Sequence, residues 1–245
     1  MAVAVAAKHM KLTVVMPVYN ERETILAILD RVRAVDIGKE IIIVDNCSTD
    51  GTREIVQGID LPEVRTILQD RNRMKGNSVK KGIAAAEGQY TIIQDADLEY
   101  DPRDYQPLVA EVQRQGVLAV LGSRVLGAAE RGERLPASPF SVGRDFLNDW
   151  FNMLFDTSLT DIATCYKLAP TRFLQGLDLV SEGFDLDFEL PARFVLEARR
   201  RGMRVSEVPI RYCPRSLEEG KKIRWTDGIA ALAAITRFRF AAMSG

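Results

Sequence analysis

With 245 residues, 47% of them hydrophobic, the chain can fill one large core or two small ones and reads as an ordinary globular protein. Its formal net charge of −1 argues against a general nucleic-acid binder. The single histidine, His9, lies in the N-terminal tail, and Cys47, Cys165 and Cys213 are far apart. That sets aside histidine triads, histidine or zinc metal sites and a disulfide framework, so chemistry must rest on carboxylates, lysines and arginines.

Residues 1–10, "MAVAVAAKHM", form an apolar tail too short for a signal peptide. Residues 11–245 read as a single domain. "LTVVMP" is a strand ending at Pro17, and "ETILAILDRVRAV" carries Ile25, Leu26, Leu29 and Val32 at helical spacing. "EIIIVD" is a second strand ending at Asp45, followed by the turn "STDGT" and the helical "REIVQGI". "VRTILQ" and "YTIIQD" are further strands, separated by an alanine-rich helix, "GNSVKKGIAAAEG", bounded by glycines.

"PLVAEVQRQG" and "LAVLGS" continue the alternation. Apolar strands interleaved with helices of about three turns predict an α/β protein, with a mostly parallel sheet covered on both faces. Ligands then bind at the carboxyl ends of the strands, where Pro17 to Glu21, Asp45 to Asp50 and Asp95 to Asp101 should converge. The second half is less regular. It has a polar loop over 127–139, an aromatic helix over 144–155 and a late strand in "RVSEVPIRY".

"IIQDADLEYDP" places acids at every second position. If the strand continues through them, Asp95 and Asp97 point the same way and present two carboxylates to one hard cation, which could bridge to a diphosphate. A solvated acidic loop is the structural alternative.

Taken together, "VVMPVYNERETI", "IIIVDNCSTDGT", "RNRMKGNSVKKGIAAAEG" and "IIQDADLEYDP", in this order, resemble the nucleotide-sugar half of glycosyltransferase family 2. "LGSRVLG", "LTDIATCYKLAP" and "EVPIRYCPRSLEEGKKIRWTDG" extend the likeness to its polyprenyl-phosphate (dolichyl-phosphate type) sugar transferases, over roughly Lys11 to Phe240. The resemblance implies an A-type glycosyltransferase fold with a Rossmann-like sheet, a nucleotide-sugar half over 11–125, and an acceptor half over 126–245 that ends in a helix. It implies a metal-dependent inverting transfer of a hexose from a UDP- or GDP-sugar to a polyprenyl phosphate.

Carried over residue by residue, it implies a base and ribose pocket of Pro17, Tyr19, Glu21 and Asp45, with Asp45 accepting from the ring N–H of the base. Lys75, Gly76 and Ala96 join that nucleotide-sugar site. Asp95, Asp97 and Glu99 would hold Mg²⁺ or Mn²⁺, a Lewis acid for the leaving diphosphate. Arg124, Arg215, Lys221, Lys222 and Arg224 would neutralise further phosphate charge.

Three departures bear on mechanism. Asn46 and Cys47 stand where many relatives have Asp-Gly, a variation also found in bacterial members. Ala163 stands where such relatives often carry glutamate, which leaves Asp161 as the candidate base for an alcohol acceptor; a phosphate acceptor needs none. "GFDLDFELPARF" differs in Asp185, Asp187, Glu189 and Pro191, residues that also suit the start of a helix, with acids in the first turn and proline just inside.

No run approaches the roughly 18 to 20 apolar residues that span a bilayer. Cytoplasmic location is expected, with peripheral contact at the inner membrane face through "FLNDWFNMLF" (Phe146, Trp150, Phe151, Leu154, Phe155) and "IAALAAITRFRF" (Arg237, Arg239). Two alternatives remain: a soluble hydroxyl acceptor with the same donor, and a non-catalytic nucleotide-binding module.

Overall fold

The computed structural model describes residues 11–135, 139–215 and 225–241. Among these, seven strands form one sheet in the order β3-β2-β1-β4-β6-β5-β7. They are β1 (Leu12–Val18), β2 (Lys39–Asp45), β3 (Val64–Leu68), β4 (Tyr90–Ile93), β5 (Val117–Ser123), β6 (Lys167–Pro170) and β7 (Arg204–Pro209). All pairings are parallel except those of β6, which runs antiparallel between β4 and β5. The expected mixed α/β fold with a mostly parallel sheet is therefore present. Every residue of β1 and β5 is buried, as strands covered on both faces require.

The helices are α1 (Ile25–Ala34), α2 (Thr52–Gln57), α3 (Met74–Ala85), α4 (Tyr105–Val112), α5 (Arg124–Glu130), α6 (Pro139–Phe155), α7 (Thr171–Gln175), α8 (Leu186–Arg200) and α9 (Trp225–Ala241). In α1 the buried Ile25, Ile28, Leu29 and Val32 make the helical stripe read from the sequence, except that Leu26 faces outward. β6 comes from the second half of the chain yet completes the sheet of the first. The two halves thus share one apolar core.

Several expectations need correction. β4 stops at Ile93, and Asp95 to Glu99 form a turn with Leu98 at φ 65°, so strand alternation does not align the acids. The expected loop over 127–139 begins as helix: Ser123 caps α5, its hydroxyl accepting from Leu126 N at 3.0 Å, and the helix runs to Glu130. Gly76 lies inside α3 instead of bounding it. Pro191 sits well inside α8, beyond the first turn where proline costs nothing, while Asp187 and Glu189 do occupy that turn. Residues 1–10 and Lys221, Lys222 and Arg224 lie outside the described residues.

α6 and α9 pack on each other. Trp150 Nε1 donates to Thr236 Oγ1 at 3.1 Å, and Arg239 Nε donates to Leu154 O at 2.8 Å. Phe151 and Phe155 are fully buried and stacked, with ring centroids 4.4 Å apart, so they serve the core. Val142, Phe146 and Met153 remain exposed on the other side of α6. No described helix is long and apolar enough to cross a membrane.

Candidate active site

Parallel strands bring the loops after β1, β2 and β4 to one edge, and short polar side chains tie them together. Asn20, at φ 52°, accepts from Thr49 N at 2.8 Å, and its own N–H donates to Ser48 Oγ at 3.0 Å. Asn46 accepts from Arg73 N at 2.8 Å and so joins the β2 loop to the start of α3. Pro17 lies within β1 opposite Val44, and Tyr19 and Glu21 follow in the loop.

Asp45 ends β2 fully buried. Its carboxylate accepts from Arg53 Nη1 at 2.8 Å and from Ser48 N at 3.3 Å. The same guanidinium nitrogen donates to Gln69 O at 2.8 Å. Arg53, which the sequence did not single out, therefore neutralises the expected base-binding acid.

Asp95 and Asp97 of the β4 turn each meet a cation. Asp95 Oδ1 lies 3.0 Å from Lys75 Nζ, and Asp97 Oδ2 lies 3.1 Å from Arg215 Nη2. Lys75 also reaches Asp187 Oδ2 at 3.1 Å, and the buried Lys167 reaches Asp187 Oδ1 at 3.2 Å. Arg215 forks onto Glu21 at 3.0 and 3.3 Å. Burial, then the charges of Asp95 and Glu99, push the Asp97 carboxyl up to about 7 against the pull of Arg215. Ala96 between them is buried in the core.

Among the described residues no three His, Cys, Asp or Glu side chains already converge as a metal cage. The donor chemistry nonetheless fits a hard divalent cation: Asp95 and Asp97 crowd negative charge on one turn, and such ions take one or two carboxylates with phosphate oxygens completing the shell. Glu99 is turned elsewhere. Its carboxylate accepts from Tyr212 OH at 2.9 Å and from Arg215 N at 2.8 Å.

Arg124 begins α5 and is held by Asp161 through three bonds: its N–H at 2.9 Å, Nε at 2.7 Å and Nη2 at 2.7 Å. Asp161 is fully buried, and its own N–H donates to Glu207 at 3.0 Å. The expected base thus presents no exposed oxygen and acts as the seat of Arg124. The guanidinium stacks 5.0 Å above the Tyr212 ring. Below, Tyr212, Tyr100, Tyr166 and Tyr105 form a ladder with centroids 5.3, 4.9 and 5.5 Å apart. Gln94 accepts from the hydroxyls of Tyr105 and Tyr166 at 2.6 and 2.8 Å.

Gly76 has a packing reason to be glycine. A Cβ there would come within 2.7 Å of the Glu182 carbonyl carbon, so α3 can lie against the 182–183 backbone only without a side chain.

The family model described as Glycosyl transferase family 2 matches residues 13–168. Glycosyltransferase AglJ from Haloferax volcanii is 26% identical over 207 residues, which cover 82% of this chain and 63% of AglJ, so the chain spans less than two thirds of that relative. Glucosyl-3-phosphoglycerate synthase from Mycobacterium tuberculosis, solved with uridine diphosphate, superposes with TM-score 0.70 at 18% identity, covering 97% of this chain and 83% of that one. Its complex with Mn²⁺, uridine diphosphate and phosphoglyceric acid gives TM-score 0.67 at 18% identity, covering 97% and 81%. At that identity the likeness is one of fold.

Proposed function

The chain belongs to glycosyltransferase family 2; on that footing we propose that it is a glycosyltransferase that moves a hexose from a UDP- or GDP-sugar to the phosphate of a polyprenyl phosphate. The observation that carries the acceptor class is the state of Asp161. A hydroxyl acceptor must give up a proton as it attacks, whereas a phosphate is already an anion near neutral pH. Asp161 is buried and committed to Arg124, and Ala163 supplies no carboxylate, so the site suits an acceptor that needs no base.

In this reading the acceptor oxygen forms a bond to the anomeric carbon as the bond to the diphosphate breaks, with inversion. Asp95 and Asp97 would hold a divalent cation, Mg²⁺ or Mn²⁺, which supplies Lewis-acid neutralisation of the leaving diphosphate. Lys75 orients Asp95, and Arg215 offers a guanidinium beside Asp97. Arg124, locked by three bonds to Asp161, aims a fixed cation at phosphate charge. Tyr19 and Glu21 would line the base and ribose end, with Pro17 setting the strand end and the buried Asp45 carboxylate, held by Arg53, behind them. The exposed Val142, Phe146 and Met153 on α6 favour peripheral contact with a membrane surface, although the exposed Asp149 falls on the same face.

A soluble acceptor is the second reading, favoured by the likeness in fold to glucosyl-3-phosphoglycerate synthase, solved with phosphoglyceric acid. The deciding experiment offers labelled UDP- and GDP-hexoses with detergent-dispersed polyprenyl phosphate and with a panel of soluble alcohols and phosphates. Transfer to the lipid phosphate is expected. Turnover confined to soluble alcohols would overturn the reading.

A further inference from the structure

The backbone of the segment after β7 is tied to the acidic turn at Glu99. Glu99 uses three acceptors on it: its carbonyl takes Cys213 N at 2.9 Å, one carboxylate oxygen takes Tyr212 OH at 2.9 Å, and the other takes Arg215 N at 2.8 Å. Tyr100, next to Glu99, also forms a β-bridge with Tyr212. The segment is clamped from its other side too, because the Tyr212 ring carries the Arg124 guanidinium.

Fixing the backbone of residue 215 fixes where its side chain goes. The Arg215 guanidinium lands between Glu21 and Asp97, contributed by the β1 and β4 loops, and its Nε has no partner among the described residues. A cation so placed, between the β1 and β4 loops, stands beside the position of a nucleotide-sugar diphosphate if Asp97 holds the metal.

We propose that Glu99 is a latch and not a cation ligand: it positions Tyr212 to Arg215 so that Arg215 meets the donor diphosphate. This rests on the nucleotide-sugar reading above. It assigns the three acids different tasks. Asp95 and Asp97 face the cation, while Glu99 is consumed by the backbone and phenol that it ties down.

The two roles predict opposite responses to Glu99→Ala. A ligand lost from the shell weakens the metal itself, whereas a lost latch leaves the metal and weakens the nucleotide. Mn²⁺ binding followed by electron paramagnetic resonance, without nucleotide, should stay within about twofold of wild type in Glu99→Ala and collapse in Asp97→Ala. UDP binding in the presence of Mn²⁺ should fall about tenfold in Glu99→Ala and in Arg215→Ala, and by no more in the double variant. Glu99→Gln, which still offers an acceptor to Arg215 N and a donor to the Tyr212 hydroxyl, should restore most of the loss. Mn²⁺ affinity falling in Glu99→Ala as far as in Asp97→Ala, or losses that multiply in the double variant, would overturn the latch.

Amide hydrogen exchange gives a readout that needs no ligand. Residues 213 and 215 should exchange faster in Glu99→Ala, and in Tyr212→Phe should the alanine variant fold poorly. Unchanged exchange in both overturns the latch. Wild-type protein that binds neither Mn²⁺ nor UDP overturns instead the donor reading beneath it.

Discussion

Lys75 and Asp187, 112 residues apart in sequence, meet at 3.1 Å between the first turns of α3 and α8. The contact is the middle of an alternating row, Asp95, Lys75, Asp187, Lys167, which joins the acidic turn to the second half of the chain. Lys167 is fully buried at its inner end, its ammonium also bonded to the carbonyl of Thr164. Such a row is stable only as a set, because each member compensates the burial of its neighbours.

Asp187→Asn should therefore leave two ammonium groups facing a neutral amide. Removing one partner of a buried pair typically costs about 3–5 kcal/mol. Urea unfolding of this variant should show a loss of that order, with Asp95 left less firmly oriented and metal-dependent nucleotide binding weakened as well. A loss below about 1 kcal/mol, the range of exposed pairs, would mean that solvent screens the row.

The same carboxyl sets a pH dependence. Burial pushes Asp187 up, but Lys167 and Lys75 outweigh it and hold the group below the ordinary aspartate value. A depressed folded pKa contributes stability that is present above the unfolded value, about 3.9, and is lost as pH falls through the folded one. The stability gap between wild type and Asp187→Asn should thus be constant near neutral pH and close in acid. Denaturation midpoints measured from pH 7 downward would reveal it; a gap that widens in acid would contradict the assignment.

Arg124 and Asp161 yield a kinetic prediction. If Asp161 acts only by seating Arg124, Asp161→Asn and Arg124→Ala should each lower kcat by roughly 10²-fold, the usual loss for one electrostatic donor, and the double variant should be no slower. The pH profile of the residual activity should keep its wild-type shape. Loss of a titrating limb in Asp161→Asn alone would restore the residue to the role of base and favour an alcohol acceptor.

The strands of the first half were legible because each is an apolar run that ends in turn chemistry, and the parallel sheet then dictates that Glu21, Asp45 and Asp95 share one edge. β6 was not legible: "KLAP" is four residues long, begins with a lysine and takes its place only because β4 and β5 leave a gap for it. Lys167 reads as a surface residue until the partner from α8 is known. The acids of the β4 turn were legible as a cluster, but their different partners were not. Lys75, Arg215 and Tyr212 arrive from sequence separations of 20, 118 and 113 residues. Gly76 was read as bounding the helix and as part of the nucleotide-sugar site; its packing against the 182–183 backbone was not legible.

Arg53 carries no signal in "STDGTREIV" beyond being one more basic residue in a helix, yet it holds the buried Asp45 carboxylate at 2.8 Å. If Asp45 accepts from the ring N–H of the base, Arg53 fixes that carboxylate in direction while the Gln69 carbonyl steadies the guanidinium. Arg53→Ala should then weaken binding of UDP or GDP, whichever is the donor nucleotide, by roughly 10-fold to 100-fold, the worth of a charged hydrogen bond. Inorganic pyrophosphate with Mn²⁺, which has no base to offer, should bind the variant as it binds wild type. Calorimetry on both ligands separates the outcomes. Equal losses for the nucleotide and pyrophosphate would place the effect of Arg53 in the fold of the β2 loop, and Asp45 would lose its claim to the base.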